Sequence, residues 1–138
     1  MIEKINSSDL MIGNYLQKDG VIHQVIAISE SITDSKKGIK KAATIRTDKS
    51  SEYMFLDHFE PILVTIKILN KLNFNKIGNV YRHDEVLEYS VSQLSGCFYV
   101  LDSNEITECS HTVREVKYLH DLQNTFKINR KFVLKLKK

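Results

Sequence analysis

The first half of the chain alternates short apolar runs with turn residues, which is the pattern of an antiparallel β meander. Apolar runs at 11–17 and 21–28 flank Lys18-Asp19-Gly20. Asp-Gly suits the two positive φ angles of a type I′ turn, so this arrangement predicts a tight hairpin. Because the second run is mostly apolar on both faces, we expect it to be a central strand.

The rest of the meander is predicted from turn-rich and alternating segments. Residues 29–38 are rich in Ser, Thr, Asp and Lys, which favours a loop. Apolar and polar side chains alternate over 39–47, and a further short strand is expected at 52–56. Four short strands joined by tight turns suggest a small curled sheet or an SH3-like barrel.

A short helix is predicted to open the second half of the chain. Pro61, the only proline, closes the meander. Thr65 is placed to cap a helix, and Asn73 is placed to end it in the left-handed conformation. The buried stripe of this helix is predicted to comprise Ile68, Leu69 and Leu72.

Three further strands are predicted between residues 80 and 109. The first begins at Val80 or Glu85 and ends at Ser92, the second spans 96–102, and the third spans 105–109 after a turn at Ser103-Asn104. Apolar and polar residues alternate in the first strand, which predicts that one of its sides contacts solvent. That solvent-facing side comprises Glu88, Ser90 and Ser92.

The last predicted element is an amphipathic helix that packs across the sheet. Thr112 and Glu115 have capping-box spacing, in which the hydroxyl and the carboxylate each accept a hydrogen bond from a backbone N–H at the helix start. Residues 127–138 alternate apolar residues with lysines and are expected to form a basic tail or an edge strand. The core-facing stripe of the helix is predicted to comprise Val113, Val116, Leu119, Leu122 and Phe126.

Together these elements predict one α+β domain, with the β meander at 1–58, the helices and hairpins at 59–126 and the basic segment at 127–138. A hydrophobic fraction of 42% with 27% charged residues is ordinary for a globular protein. No apolar run approaches the length of about eighteen residues that a membrane helix needs. The N-terminal residues also lack a signal-peptide pattern, so we expect a cytoplasmic protein without membrane contact.

Three segments resemble a family of short proteins common in genomes and mobile elements of the Bacteroides group. Residues 10–28 resemble its "IGN" strand, Gly turn and second apolar strand, and residues 59–74 resemble its "EPI…T…LL…GF" segment. Residues 117–126 resemble its most distinctive motif, "KYVHQLQNLYF". The chain departs from the family's "ALTG" helix end after Phe126. The resemblance implies a phage or mobile-element gene and brings no established activity.

Candidate metal and acid–base residues each have a simpler structural interpretation. Cys109, His111 and His120 suggest a zinc site, but a structural site needs four ligands, often as two close pairs. His120 on the last helix is better explained with Gln123 and Asn124, whose amides are expected to hydrogen-bond neighbouring backbone and lock the helix onto the sheet.

The remaining polar clusters and the cysteines predict no chemistry. His83-Asp84-Glu85 and Glu88 near a turn are expected to be a solvated acidic edge, and no nucleotide or hydrolase motif is present. In the predicted hairpin register Cys109 faces Phe98 rather than Cys97, so both cysteines are expected to be reduced and buried. We therefore expect no cofactor, no metal and no catalysis.

Charge is segregated into two basic segments although the chain carries a formal charge of only +3. Residues 36–49 hold six basic residues and one acid, residues 127–138 hold six basic residues and no acid, and the rest of the chain is net acidic. Segregation of this kind makes a local positive field. The residues predicted to bind a partner or nucleic acid are Lys36, Lys37, Lys40, Lys41, Arg46, Lys49, Lys127, Arg130, Lys131, Lys135, Lys137 and Lys138.

The leading hypothesis is a non-enzymatic phage or mobile-element accessory protein that binds and inhibits a host macromolecule. A host protein or ribonucleoprotein complex is the expected partner, in the sharpest version a nucleic-acid-guided defence complex such as a CRISPR effector. Aromatic residues do not cluster beside the lysines, which argues against naked single-stranded nucleic acid. The alternatives are a direct DNA- or RNA-binding module and a structural or assembly component of a virion or mobile element.

Overall fold

The computed structural model describes residues 5, 7–35, 38–104 and 109–137, and it has the predicted α+β class with mostly antiparallel strands. The chain divides into two compact units, Met1–Ile62 and Leu63–Lys138. Each unit contains its own antiparallel sheet and is described separately below.

The first unit is a four-stranded antiparallel meander in the order β1-β2-β3-β4. The predicted meander and the central position of the second strand are therefore confirmed. Two 3-10 turns, at Ser7–Asp9 and Leu56–His58, stand before β1 and after β4. The strands are β1 (Tyr15–Lys18), β2 (Val21–Ser35), β3 (Gly38–Thr47) and β4 (Met54–Phe55).

The predicted tight hairpin joins β1 to β2. Lys18 pairs with Val21, and the two residues between them have positive φ angles, 51° at Asp19 and 78° at Gly20. These are the angles that a two-residue I′ turn needs, and Asp and Gly tolerate them better than most residues do. The register is set by this turn.

The predicted loop at 29–38 is wrong for the residues that the structure describes, because β2 continues to Ser35 and pairs with β3 from Ser29 to Ser35. Ser29 pairs with Thr44 and Ser35 pairs with Gly38. Within the described residues, β1 pairs with only 21–24 of β2, and β4 pairs with only 44–45 of β3. The hairpin therefore extends beyond its neighbours as a two-stranded ribbon, which we call the β2–β3 arm (29–35 and 38–43). The polar composition of this segment therefore does not indicate a loop.

The core of the first unit lies beneath the root of this hairpin. A bulge between Val25 and Ala27 interrupts the β2–β3 register and leaves Ile26 41% exposed. The shift exchanges the residues of β2 that face the core, because strand side chains alternate and one extra residue reverses the alternation. The buried cluster comprises Leu10, Leu16, Val25, Ile45, Leu56 and Phe59.

The second unit is a five-stranded antiparallel sheet with two helices, in the strand order β5-β6-β7-β8-β9. Helix α1 (Ile66–Lys71) precedes the sheet and α2 (Leu119–Arg130) follows it. Phe126 of α2 packs edge-on against Phe74 and Tyr89, with ring centroids 5.6 and 5.4 Å apart, so α2 packs on the sheet as expected. The strands are β5 (Phe74–Ile77), β6 (Val80–His83), β7 (Val86–Leu94), β8 (Cys97–Asn104) and β9 (Cys109–Val116).

The predicted first helix is confirmed with its cap and its end. The Thr65 side chain accepts a hydrogen bond from the Ile68 N–H at 3.2 Å, which satisfies one of the free donors at the helix start. Asn73 has a left-handed φ of 70°. Leu69 and Leu72 are fully buried, as the stripe predicted.

Of the two predicted starts for the first strand of this region, Glu85 is correct to within one residue and Val80 is wrong: β7 begins at Val86, and Val80–His83 form the separate strand β6 before a turn at Asp84-Glu85. No prediction included β5, which pairs with β6 across Gly78-Asn79. The predicted turn and register of the following hairpin are wrong. The turn predicted at Ser103-Asn104 lies within β8, where Asn104 pairs with Cys109, while residues 105–108 lie outside the described part. Phe98 accordingly pairs with Val116 rather than with Cys109.

The last helix begins later than its capping-box spacing predicts. Thr112 and Glu115 lie in β9 and pair with Leu101 and Tyr99 of β8, and the helix starts at Leu119 after Tyr118. Thr112–Val116 is rich in β-branched residues, which suit a strand. Long-range pairing with β8 therefore prevails over a local spacing that resembles a cap.

The solvent-facing side predicted for residues 86–92 is also wrong. Ser90 is 1% exposed and Ser92 is 8% exposed. Ser90 pairs with Arg82 and Leu101 in the neighbouring strands, and directly opposed side chains lie on the same face of a sheet. The two longer side chains shield the serine between them from solvent, so a polar residue at this position does not indicate a solvent-facing side of the sheet.

Candidate functional site

The first predicted basic segment lies mainly on β3. Lys40 and Lys41 occupy backbone positions opposite Thr33 and Ile32 in the β2–β3 arm. Arg46 near the end of β3 is exposed, and Lys49 in the following turn is exposed as well. Lys36 and Lys37 lie outside the described residues.

The two strands of this hairpin carry opposite charge. Residues 26–35 of β2 include Glu30 and Asp34 and no basic residue, whereas residues 38–47 of β3 include Lys40, Lys41 and Arg46 and no acid. Because paired strands lie about 4.8 Å apart, the acidic and basic strands partly neutralise one another at a distance. The sequence of residues 36–49 alone does not show that the basic strand is paired with an acidic one.

The second predicted segment starts inside α2 rather than after it. Lys127 is half-buried on the last turn, and Lys131 ends the helix with a left-handed φ of 53°. The Arg130 guanidinium lies over the Tyr89 ring at 4.5 Å and contacts Asp102 Oδ1 at 3.3 Å. Arg130 is thus held against the sheet by a cation–π contact and an ion pair.

Residues 132–137 have no regular secondary structure, yet they are packed against the second unit. Leu134 is 0% exposed, and its carbonyl accepts a hydrogen bond from Gln123 Nε2 at 3.2 Å. Phe132 packs on the His83 ring, with centroids 4.9 Å apart. The Lys137 N–H donates to the Lys71 carbonyl at 2.7 Å, which joins this segment to α1.

The hydrogen bond between Lys137 and Lys71 places the C-terminal segment beside the end of α1, and both elements carry exposed lysines. Lys67 and Lys71 are four residues apart on α1 and are exposed, and Lys135 and Lys137 are exposed on the C-terminal segment. Residues four apart on a helix lie on the same side of it. We call these four lysines the α1–tail patch.

Two acid-free stretches of sequence surround the α1–tail patch. Residues 61–83 and 122–138 contain ten basic residues and no aspartate or glutamate. The first stretch contributes Lys67 and Lys71, which the sequence analysis missed because their charge becomes significant only when the C-terminal segment lies beside them. The signal that points to Lys67 and Lys71 in the sequence is a long window without acidic residues, not a dense run of lysines.

The polar residues of α2 have the structural role that was expected for them. Gln123 and Asn124 are buried, and the Gln123 amide bonds the backbone of the C-terminal segment. His120 is also buried, and its Nε2 lies 3.7 Å from Asp121 Oδ1, which is longer than a hydrogen bond. Asp121 lies at a similar distance, 3.8 Å, from the Arg114 guanidinium. At these distances both contacts are weak, and neither resembles an acid–base pair.

Two further histidines have perturbed titration. Burial lowers the pKa of His83, although Glu85 and Asp84 oppose the shift. His83 Nδ1 accepts a hydrogen bond from the Glu85 N–H at 3.1 Å, which favours the neutral ring. Burial and the positive charges of Lys49 and Lys18 lower the pKa of His23, against an opposing effect of Asp48.

A cleft of about 410 Å³ in the second unit contains the one cysteine side chain that the structure describes. Its lining includes the buried residues Val64, Phe98 and Val116 and the exposed residues Glu115 and Lys117. Cys97 is a free thiol, as predicted, but it is half-buried rather than fully buried. In the described part of the chain, no three His, Cys, Asp or Glu side chains are grouped as metal ligands.

Comparison with known proteins adds nothing to this geometry. No family model, curated protein or solved structure matches the chain. Among the described residues, neither helix has the length and apolar run needed to cross a bilayer.

Proposed function

We propose that this protein is a non-enzymatic phage or mobile-element accessory protein that binds and inhibits a polyanionic host macromolecule. The observation that carries the proposal is the α1–tail patch, where Lys137 is bonded to the backbone of Lys71. The patch has four exposed lysines, and the stretches of sequence around them contain no acidic residue. We therefore expect a positive surface that is formed before the partner binds. Such a surface suits a partner with a high density of negative charge.

A nucleic-acid-guided defence complex, such as a CRISPR effector, is the partner we favour. A guide-bound complex offers both a phosphate backbone and a protein surface, and a fixed patch of lysines can occupy a channel that normally holds nucleic acid. The resemblance to mobile-element proteins supports this biological setting.

Affinity purification from a bacterial host lysate tests the proposal. We expect the full chain to capture a protein complex that survives nuclease treatment. The variant with Lys67→Gln and Lys71→Gln should lose most of the captured complex. The control variant, Arg114→Gln with Lys117→Gln, removes the same charge from the same unit and should retain it. Recovery of nucleic acid alone, with no protein, would contradict the proposal.

A direct DNA- or RNA-binding module is the second candidate, favoured by the shape of the β2–β3 arm. A two-stranded ribbon has dimensions that the major groove of DNA accepts, and Lys40 and Lys41 lie on one of its strands. Phosphate contacts release counterions, so binding of this kind weakens steeply with salt. Charge reversal at Lys40 and Lys41 should then abolish binding to a DNA duplex, and unchanged binding would exclude this candidate.

Self-association as a virion or mobile-element component is the third candidate. Ile32, on the β2 strand of the arm, is 63% exposed, and an exposed apolar edge strand favours pairing with another chain. Size-exclusion chromatography with light scattering should show an oligomer in this case. A monomer at all concentrations would exclude it.

A further inference from the structure

A depression of about 380 Å³ in the first unit lies beside the β1–β2 turn. Two lysines, Lys18 and Lys49, and one histidine, His23, contribute to its lining. None of the three belongs to the α1–tail patch, so a ligand here would define a separate site. The other lining residues are Asp19, Val21, Ser50 and Met54.

The two ammonium groups in this depression retain unused donors. Lys18 Nζ lies 3.7 Å from Met54 Sδ, a weak acceptor, and Lys49 Nζ donates to the Ile22 carbonyl. Neither lysine forms an ion pair with a carboxylate in the part of the chain that the structure describes. Since an ammonium has three N–H donors, each lysine can donate further hydrogen bonds to an anion.

Thr47 occupies the Nδ1 side of the His23 ring. Thr47 Oγ1 accepts from the Lys49 N–H at 3.3 Å and lies 2.8 Å from His23 Nδ1. If the Thr47 hydroxyl donates its proton to Nδ1, the hydroxyl proton and the ring nitrogen each have a hydrogen-bond partner. In this tautomer the neutral ring carries its proton on Nε2, and in the protonated ring both nitrogens are donors.

Electrostatics at His23 agree with an excess of positive charge. After burial, the charge of Lys49 is the largest influence that lowers the pKa of the ring, and Lys18 adds to it. Asp48 opposes both, but its Oδ1 is engaged by the Gln24 N–H at 2.8 Å. Asp19 is the one carboxylate that lines the depression itself.

We propose that this depression binds a phosphate group through the ammonium groups of Lys18 and Lys49 and the Nε2–H of His23. Two ammonium groups and an imidazole that line one open depression are the kinds of donor that bind phosphate oxygens. The open mouth leaves room for the remainder of a larger molecule. Free phosphate and the phosphodiester of a nucleic acid share this chemistry. The site does not depend on the function proposed for the α1–tail patch.

The His23 resonance in an NMR pH titration provides a direct test. We expect added inorganic phosphate to raise the pKa of His23 relative to chloride at equal ionic strength, because an adjacent anion stabilises the protonated ring. Lys18→Gln with Lys49→Gln should weaken phosphate binding roughly tenfold or more, since hydrogen bonds between charged groups are lost. Lys76→Gln with Lys117→Gln is the matched control and should bind phosphate as the wild type does.

A second variant strengthens the site instead of removing it. Asp19→Asn keeps a residue that tolerates the positive φ of the turn and removes the one lining carboxylate, so phosphate affinity should rise. Replacing phosphate with a short single-stranded oligonucleotide distinguishes a nucleic-acid backbone from free phosphate as the ligand. The same rise in the pKa of His23 would assign the site to a nucleic-acid backbone. No rise with the oligonucleotide would assign it to free phosphate. A His23 shift that is equal in chloride, or that persists in the Lys18 and Lys49 variant, would overturn the inference.

Discussion

Truncation of Leu134 to alanine is the sharpest test of how the α1–tail patch is built. Leu134 is fully buried, and removing its branched end loses three carbon groups, at roughly 0.8 kcal/mol each or about 2.4 kcal/mol. Leucine-to-alanine changes in protein cores extend to about 5 kcal/mol where the cavity persists. Because Leu134 lies in a segment without regular secondary structure, whose surroundings can collapse, we expect a loss of about 2–3 kcal/mol of unfolding free energy.

Urea denaturation of the wild type and Leu134→Ala measures this loss, with Val133→Ala as the control. Val133 is the adjacent residue and is 44% exposed, so its truncation should change the unfolding free energy by no more than about 0.5 kcal/mol. Hydrogen exchange reports the same contact locally, because the Lys137 N–H donates to Lys71 and should exchange faster in Leu134→Ala. Two results together would refute a packed C-terminal segment. Leu134→Ala and Val133→Ala would lower the unfolding free energy equally, and the Lys137 amide of the wild type would show no protection from hydrogen exchange.

Three further predictions concern capping, backbone strain and pH. Thr65→Ala should lower the unfolding free energy by about 1 kcal/mol through loss of the α1 cap, whereas Thr65→Ser should retain it; equal losses would exclude capping. Lys131→Gly should stabilise the protein by about 0.5–1 kcal/mol, because glycine relieves the left-handed helix end; destabilisation in urea would contradict this. The lowered pKa values of His83 and His23 mean that unfolded chains bind more protons just below the ordinary value of 6.5. The unfolding free energy should therefore be lower at pH 5.5 than at pH 7.5, and pH-independent stability would refute the burial of these rings.

Local turn and cap chemistry was readable from the sequence. Asp19-Gly20 and Asn73 adopt the positive φ angles that their residue types favour, and Thr65 caps the helix that follows it. Each depends on residues close in the chain, where the number of competing conformations is small. The Gly78-Asn79 turn carried the same kind of signal, and it was overlooked.

Features that depend on distant pairing were not readable from the sequence. Residues 29–35 resemble a loop until β3 pairs with them, and Thr112 resembles a helix cap until β8 pairs with it. Likewise, no local pattern links Lys71 to Lys137, because their contact depends on how Leu134 is buried. The basic character of the C-terminal segment was predicted, but the surface it forms with α1 required the fold.

Retention on a heparin column tests most directly whether the α1–tail patch is the dominant polyanion-binding surface. Lys67→Gln with Lys71→Gln and the control pair Arg114→Gln with Lys117→Gln remove equal charge from exposed positions of the same unit. If the patch binds polyanions, the first pair should elute at clearly lower salt than the control pair, which should elute close to the wild type. Identical elution of the two variants would mean that net charge alone governs retention and would contradict a preorganised lysine surface.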